Sequence, residues 1–437
     1  MRINVVASVV AFAVGAVAIA VSAEGSQEDR TETFRQLELF GDVLTRIESD
    51  YVTETDQSEL IEAAIEGMLT SLDPHSAYHN PDAYEDLRVS TRGEYGGLGM
   101  EVTRRDDFIT IVSPISDTPA ERAGLRTNDK IIAVDGESII GISVDEAVEL
   151  MRGAVGEPVT ITVARGDDDP FDVTLVRDTI PLRTVATRIE EGVPYMRIAG
   201  FNERTTEMVQ EGVTELEEEY GAPLPGLIID MRYNPGGLLD QAIGVTDVFM
   251  DGGEVVSTRT RDPRETQRYN ARPGDRLNGA PIVILINEGT ASAAEIVAGA
   301  LQDRTRAELV GMTSFGKGSV QTIIPLRGGR DGALRLTTGR YYTPAGRSIQ
   351  ATGIIPDVQI SAWALEEDET HEAPPQISSE ADLPGALENE NGDHRADTDI
   401  ASVEQPPADW SEDEDYQLFR AREILRENME RQQASLH

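Results

Sequence analysis

Residues 281–321 read PIVILINEGTASAAEIVAGALQDRTRAELVGMTSFGKGSVQ. Residues 282–286 are a strand-like apolar run, 287–290 a turn, and 293–301 a helix-like run with Ser292 at its first turn. A strand feeding a helix through a short turn is the repeating unit of an α/β fold. Ser292 would sit where unpaired N–H groups and the positive end of the helix dipole meet, a place suited to stabilising an oxyanion. Serine is also a common N-cap, and this segment alone leaves both roles open.

Lys317 bears on that choice. The chain holds 38 Lys plus Arg, yet only Lys130 and Lys317 are lysines. Arginine keeps its proton under ordinary conditions, whereas a buried lysine can lose it, and a general base must. Gly316 and Gly318 flank Lys317 and permit a tight turn. The five histidines stand at 75, 79, 371, 394 and 437, so none falls in the candidate core, and cysteine is absent. A serine activated by lysine is the nucleophilic arrangement that remains.

Three blocks then carry a resemblance: Glu288-Gly289-Thr290-Ala291-Ser292-Ala293-Ala294-Glu295, Gly316-Lys317-Gly318-Ser319-Val320-Gln321, and Asp230-Met231-Arg232-Tyr233-Asn234-Pro235-Gly236-Gly237. Together they resemble the carboxy-terminal processing peptidases, or tail-specific proteases, over roughly residues 33–360. The resemblance implies a Ser-Lys dyad hydrolase: Ser292 as nucleophile, Lys317 as base and Gln321 orienting the lysine. It implies a Clp protease/crotonase-like catalytic core with an inserted PDZ domain, and no cofactor or metal. Ala293 and Gly237, or its neighbour Gly236, are expected to form the oxyanion hole. Family members trim or degrade exported proteins from an exposed apolar C-terminus, and some require an activating adaptor protein.

Composition is consistent with this. The 437 residues carry a formal net charge of −41, which argues against nucleic acid and anionic membrane surfaces as partners. Residues 1–23 read as an export signal, with Arg2, an Ala-rich apolar run, and Val21-Ser22-Ala23 as a cleavage site; an uncleaved anchor is the alternative. Either form places the rest of the chain in the periplasm or on a membrane facing it.

The remaining boundaries follow in order. Residues 24–92 form a helical region, where Phe34, Leu37, Phe40, Leu44, Ile47 and Tyr51 share a face. In the family this region packs on the core and contributes to dimerisation, so a homo-oligomer is expected. The histidines at 75 and 79 read as exposed turn residues rather than metal ligands. Residues 93–178 resemble a PDZ domain: Gly97-Leu98-Gly99-Met100 matches its carboxylate-binding loop, whose N–H groups receive a peptide's terminal carboxylate while the next strand pairs with the peptide. Asn128 stands where glycine is usual, and Lys130 reads as an exposed turn residue. Residues 179–362 form the catalytic core of alternating strands and helices. Between 366 and 415 there are 18 acidic residues and one basic, so 363–410 reads as a disordered acidic linker. Residues 411–437 then read as a helix with a Leu418, Ala421, Leu425, Met429 stripe.

Lysine acts as a base only if its pKa falls, which burial without a carboxylate at the amine achieves. Glu295, one turn after Ser292, would oppose that shift if it faced the amine, so it is expected to point elsewhere. Two rivals share parts of this pattern. A catalytically silent PDZ scaffold does not need the Ser-Lys-Gln set, and an acyl-CoA enzyme with the same core has no use for a PDZ module or an export signal.

Overall fold

The computed structural model describes residues 31–166, 168–362, 379–393, 403–407, 409–411 and 414–435. The signal expected over 1–23 lies outside them. The chain divides into two compact units, Met1–Ser71 and Leu72–His437. The first contains a helix over 31–50 and a second, Gln57–Thr70, capped by the Asp56 carboxylate. Phe34, Leu37 and Phe40 are exposed on the first helix, and Tyr51 is exposed just after it.

The catalytic half of the second unit is built on a six-stranded sheet. Its order is Val185–Glu190, Val193–Ile198, Leu227–Asp230, Ile282–Ile286, Glu308–Gly311, Val358–Gln359. All neighbours pair in parallel except the first, antiparallel, edge strand. Ile282–Ile286 is buried on both faces, as a near-continuous apolar run in a parallel sheet must be. Helices Thr205–Tyr220, Leu239–Phe249 and Ala293–Asp303 cover one face, burying Val213, Val245, Phe249, Val297 and Leu301 with Ile229 and Ile284. The other face receives helix Tyr416–Ser435, whose Leu418, Ala421, Ile424 and Leu425 pack on Ile228, Val283 and Leu285. The expected tail stripe therefore docks on the body. Arg232 anchors it, bridging the Asp230 and Asp415 carboxylates at 2.7 and 2.6 Å.

A second sheet holds Gly253–Thr260, Gln267–Ala271, Ser319–Pro325 and Ala333–Tyr342. Ala77–His79 adds to its edge by pairing with Ala333–Arg335. The helical region expected over 24–92 thus contains a strand of the catalytic half, followed by helix Pro81–Arg92.

The PDZ domain is an insertion. The chain enters it through Glu94–Gly97 and leaves through Asp178–Pro181, and these two strands pair with each other. Between them a sheet in the order Met100–Arg105, Phe108–Pro114, Lys130–Val134, Pro158–Ala164, Phe171–Val176 packs on helix Val144–Met151. Asn128 takes φ 70°, the left-handed conformation its position requires. Lys130 is exposed, with its ammonium 4.6 Å from the centre of the Phe108 ring.

The acidic stretch differs from expectation in part. Residues 363–378 and 394–402 lie outside the described residues. Residues 379–393 are folded onto the catalytic half, because Glu380, Asn389 and Glu390 find hydrogen-bond partners there.

Candidate active site

Two strand–turn–helix crossings lie side by side at the carboxyl end of the parallel sheet. One runs from Leu227–Asp230 into Leu239–Phe249, the other from Ile282–Ile286 into Ala293–Asp303. Their turns are stitched together. Ala291 N–H donates to the Asn234 carbonyl, Tyr233 N–H to Asn287 Oδ1, and the Thr290 hydroxyl to the Met231 carbonyl, each at 2.9 Å. Asn234, fully buried, donates its amide to the Ile198 carbonyl at 2.8 Å and so ties in a third strand.

Ser292 has φ 55° and ψ −115°. An ordinary N-cap is extended, so the backbone here is not that of a simple cap. Positive φ in a residue with a side chain costs about 1–3 kcal/mol and persists only where its surroundings enforce it. Here its N–H is held by Glu295 Oε2 at 2.7 Å.

Glu295 is the hub. It is completely buried, and it accepts four hydrogen bonds: from Ser292 N–H, from the Ser314 hydroxyl at 2.5 Å, from Gly316 N–H at 2.8 Å and from Lys317 N–H at 2.9 Å. Ser292 and Lys317 thus donate to the same oxygen, Oε2, which sets their backbones next to each other. Burial pushes the Glu295 carboxyl up to about 7, against the pull of the four donors. As expected, this carboxylate is turned to other work than the lysine amine: it receives the lysine's backbone N–H.

The Lys317 loop is further fixed by Phe315 N–H, which donates to the Thr290 carbonyl at 2.9 Å. No hydrogen bond or ion pair reaches the Lys317 amine among the described residues. Burial holds its pKa below that of an ordinary lysine. The Arg335 guanidinium adds to the effect, and Glu380, Glu295 and Asp73 oppose it.

The oxyanion candidates separate on their N–H groups. Gly236 N–H is committed to Asn234 Oδ1 at 2.9 Å, which leaves Gly237 and Ala293 as the available donors. Gly236 serves by being small: a Cβ there would lie 2.8 Å from Ser292 Cβ and 2.9 Å from Ala293 N. Gln321 differs from the implied role. Its amide donates to the Ser319 and Thr337 hydroxyls at 2.8 and 3.3 Å, not to the lysine amine. A bulge between Val320 and Gln321 changes the register where it sits.

Known proteins match this sequence. Residues 192–360 match the sequence model of Peptidase family S41, 110–165 that of the PDZ domain, and 11–83 that of the activating protease CtpB N-terminal domain. The carboxy-terminal-processing protease of Bartonella bacilliformis is 46% identical over 396 residues, 90% of this chain and 89% of its own. The chain belongs to the carboxy-terminal-processing protease family. It is a serine-type peptidase with a Clp protease/crotonase-like core and an inserted PDZ domain. Carboxy-terminal processing protease CtpA of Bacillus subtilis is 37% identical over 72% of this chain and 66% of its own. Among solved structures, the photosystem II D1 C-terminal processing protease is 29% identical, covers 74% of this chain and 92% of its own, and aligns with a TM-score of 0.42.

In this family member the PDZ loop is closely built. Gly99 takes φ 76°, and a Cβ there would lie 2.2 Å from Thr118 Cβ. The loop carbonyls are spent inside the domain, Leu98 O on Ala120 N–H and Gly99 O on Ile115 N–H. Gly97, Leu98, Gly99 and Met100 line a groove with Val148 and Met151 of the facing helix. Strand Met100–Arg105 is an edge strand, open to pairing.

Sequence reasoning missed three groups beside the lysine loop. His75 is not an exposed turn residue: its side chain is 14% exposed and its Nε2 lies 2.7 Å from Glu380 Oε2. Glu380 was one carboxylate in a long acidic run, and Gln350 carried no motif. The one available signal was His75, the rarer residue type in a turn otherwise read as solvated.

Proposed function

We propose that this peptidase is exported and cleaves proteins presented by their C-terminal tails, with Ser292 as nucleophile and Lys317 as general base. The observation that carries the reading is the single Glu295 oxygen held by both backbone N–H groups. It joins a strained serine to a half-buried lysine whose amine no carboxylate pairs among the described residues.

The chemistry runs in two halves. Neutral Lys317 takes the Ser292 hydroxyl proton as Oγ attacks the scissile carbonyl. Gly237 and Ala293 N–H groups receive the oxyanion. The lysine ammonium returns its proton to the leaving amine, and water, deprotonated in the same way, releases the acyl group. Activity falls as pH drops through the depressed lysine pKa, because protonation disables the base. Gln321 acts at one remove, through Ser319 and Thr337 beside the loop.

An apolar C-terminus with a free carboxylate is the substrate signal, bound at Leu98-Gly99-Met100 with the peptide added to the Met100–Arg105 edge. The exposed apolar residues of the 31–50 helix support self-association or an activating adaptor. The export-signal pattern of residues 1–23 supports a location in the periplasm or facing it, and N-terminal sequencing of the mature protein tests that: a soluble form beginning at Met1 contradicts export. A fluorophosphonate probe tests the nucleophile. It should label the wild type and not Ser292→Ala; equal labelling of both removes Ser292 from the role.

A further inference from the structure

Glu380 is a buried carboxylate, 1% exposed, in a chain segment otherwise rich in solvated acids. Burying a carboxylate costs several kcal/mol unless partners compensate it, so its place needs a reason. It lies beyond the residues 192–360 matched to the peptidase family. Three contacts explain where it goes, and a fourth carries them on to Gly318. Its N–H donates to the Phe315 carbonyl at 3.0 Å. Its Oε1 accepts from Gln350 Nε2 at 2.9 Å. Its Oε2 lies 2.7 Å from His75 Nε2. Gln350 Oε1 in turn accepts from Gly318 N–H at 3.1 Å. Phe315 and Gly318 bracket Lys317, so both ends of the lysine turn lead back to Glu380.

Glycine at 318 fits this scheme. A Cβ there would lie 2.3 Å from Gln350 N, so the turn and Gln350 meet backbone to backbone. Asn389 Nδ2 donates to the Gln350 carbonyl at 2.9 Å, and Gln350 Nε2 also donates to the Leu387 carbonyl at 3.0 Å. The segment 379–393 therefore grips Gln350 from both ends.

We propose that Glu380 is a positioning residue for Lys317: from the acidic segment it fixes the Phe315–Gly318 turn that Glu295 fixes from the Ser292 helix. This rests on the Ser-Lys reading above. The charged groups facing the lysine are Arg335 of the adjoining strand, Glu295 of the Ser292 helix, Asp73 of the segment before Ala77–His79, and Glu380, with His75 paired to Glu380. Glu380 contributes geometry through its hydrogen bonds and charge through its field.

Two substitutions separate these contributions. Glu380→Gln keeps the shape and removes the charge. It should move the acid limb of the kcat/KM profile to lower pH, since a carboxylate that favours the lysine ammonium is gone. Gln350→Met keeps the Glu380–His75 pair and cuts the link to Gly318. It should lower kcat about 10- to 100-fold, the range a small displacement of a reacting group produces, with KM and the acid limb unmoved. Melting temperatures of both variants, and binding of a substrate tail to the PDZ groove, report whether each is folded. If Gln350→Met is folded at wild-type kcat, or Glu380→Gln leaves the acid limb in place, Glu380 does not position the lysine. Lys317→Arg run alongside distinguishes that outcome from failure of the dyad: an active Lys317→Arg overturns the dyad itself, and an inactive one confines the failure to Glu380.

Discussion

Replacing Gly236 by alanine tests how closely the two turns must approach. The added Cβ would meet Ala291 O at 2.8 Å, Ser292 Cβ at 2.8 Å and Ala293 N at 2.9 Å. Opening a 2.8 Å contact to 3.4 Å, the near edge of ordinary van der Waals contact, requires about 0.6 Å of movement. None of the three atoms is the end of a flexible side chain, so the displacement falls on the Ser292 backbone itself. A shift approaching 1 Å costs about 100-fold in rate when it moves a reacting group. The φ of 98° adds strain of about 1–3 kcal/mol for any L side chain. Gly236→Ala should therefore lose about 100-fold in kcat/KM and melt several degrees lower. Gly221→Ala is the control: φ is 77° there, with nothing within 4 Å of the new Cβ. It carries comparable backbone strain without the collision, and should lose stability at unchanged activity. Peptide cleavage and thermal unfolding measured on both proteins decide the matter. A folded Gly236→Ala enzyme at wild-type kcat/KM would refute the close-approach argument.

Three further outcomes follow from the structure. Lys317→Met should abolish turnover yet raise the melting temperature at neutral pH. A lysine whose folded pKa is depressed binds fewer protons than in the unfolded chain, so it disfavours folding below its unfolded pKa and that penalty fades as pH rises towards it. The gain should be about 1 kcal/mol, or about 2–4 °C, and a lower melting temperature at pH 7 contradicts it. Leu425→Ala removes a fully buried side chain between the tail helix and the sheet; unfolding should show a loss of about 2–5 kcal/mol, whereas a change under 1 kcal/mol would mean the tail helix is loosely held. Amidating the C-terminus of a substrate peptide removes the anion that the Leu98-Gly99-Met100 loop is shaped for. Binding should weaken at least several-fold by calorimetry, and equal affinity for both peptides removes PDZ-directed recognition.

Much of the catalytic half was legible because a buried parallel sheet writes itself as apolar runs. Ile282–Ile286 falls where the sequence put it. Val185–Glu190, Gly253–Thr260 and Gln267–Ala271 did not announce themselves, because each mixes polar or charged residues with its apolar ones and is exposed in part. Glu308–Gly311 is too short to show a period. Lys317 stood out through composition, since a lysine kept in an arginine-rich chain marks a position where the two differ. What spacing could not show was which atoms a side chain meets. Glu295 was known to sit one turn from Ser292, but only the folded chain brings the Lys317 and Gly316 N–H groups to its carboxylate. Gln321 was assigned to the lysine by resemblance, and a bulge turns it to Ser319 and Thr337. Glu380 was hidden by its own neighbours: charge counting treats 18 acids alike, and burial distinguishes one of them.

The Lys317→Arg substitution measures the central claim most directly. Arginine is accepted almost everywhere else in this chain, and its guanidinium stays protonated at any pH an enzyme works at. It keeps a positive charge in the site and cannot accept the Ser292 proton. The account predicts a folded protein whose peptide cleavage is as low as that of Ser292→Ala, on the order of 10⁴- to 10⁶-fold below wild type, with no recovery as pH is raised. A folded Lys317→Arg enzyme that retained most of its peptidase activity would contradict the Ser-Lys mechanism at its base.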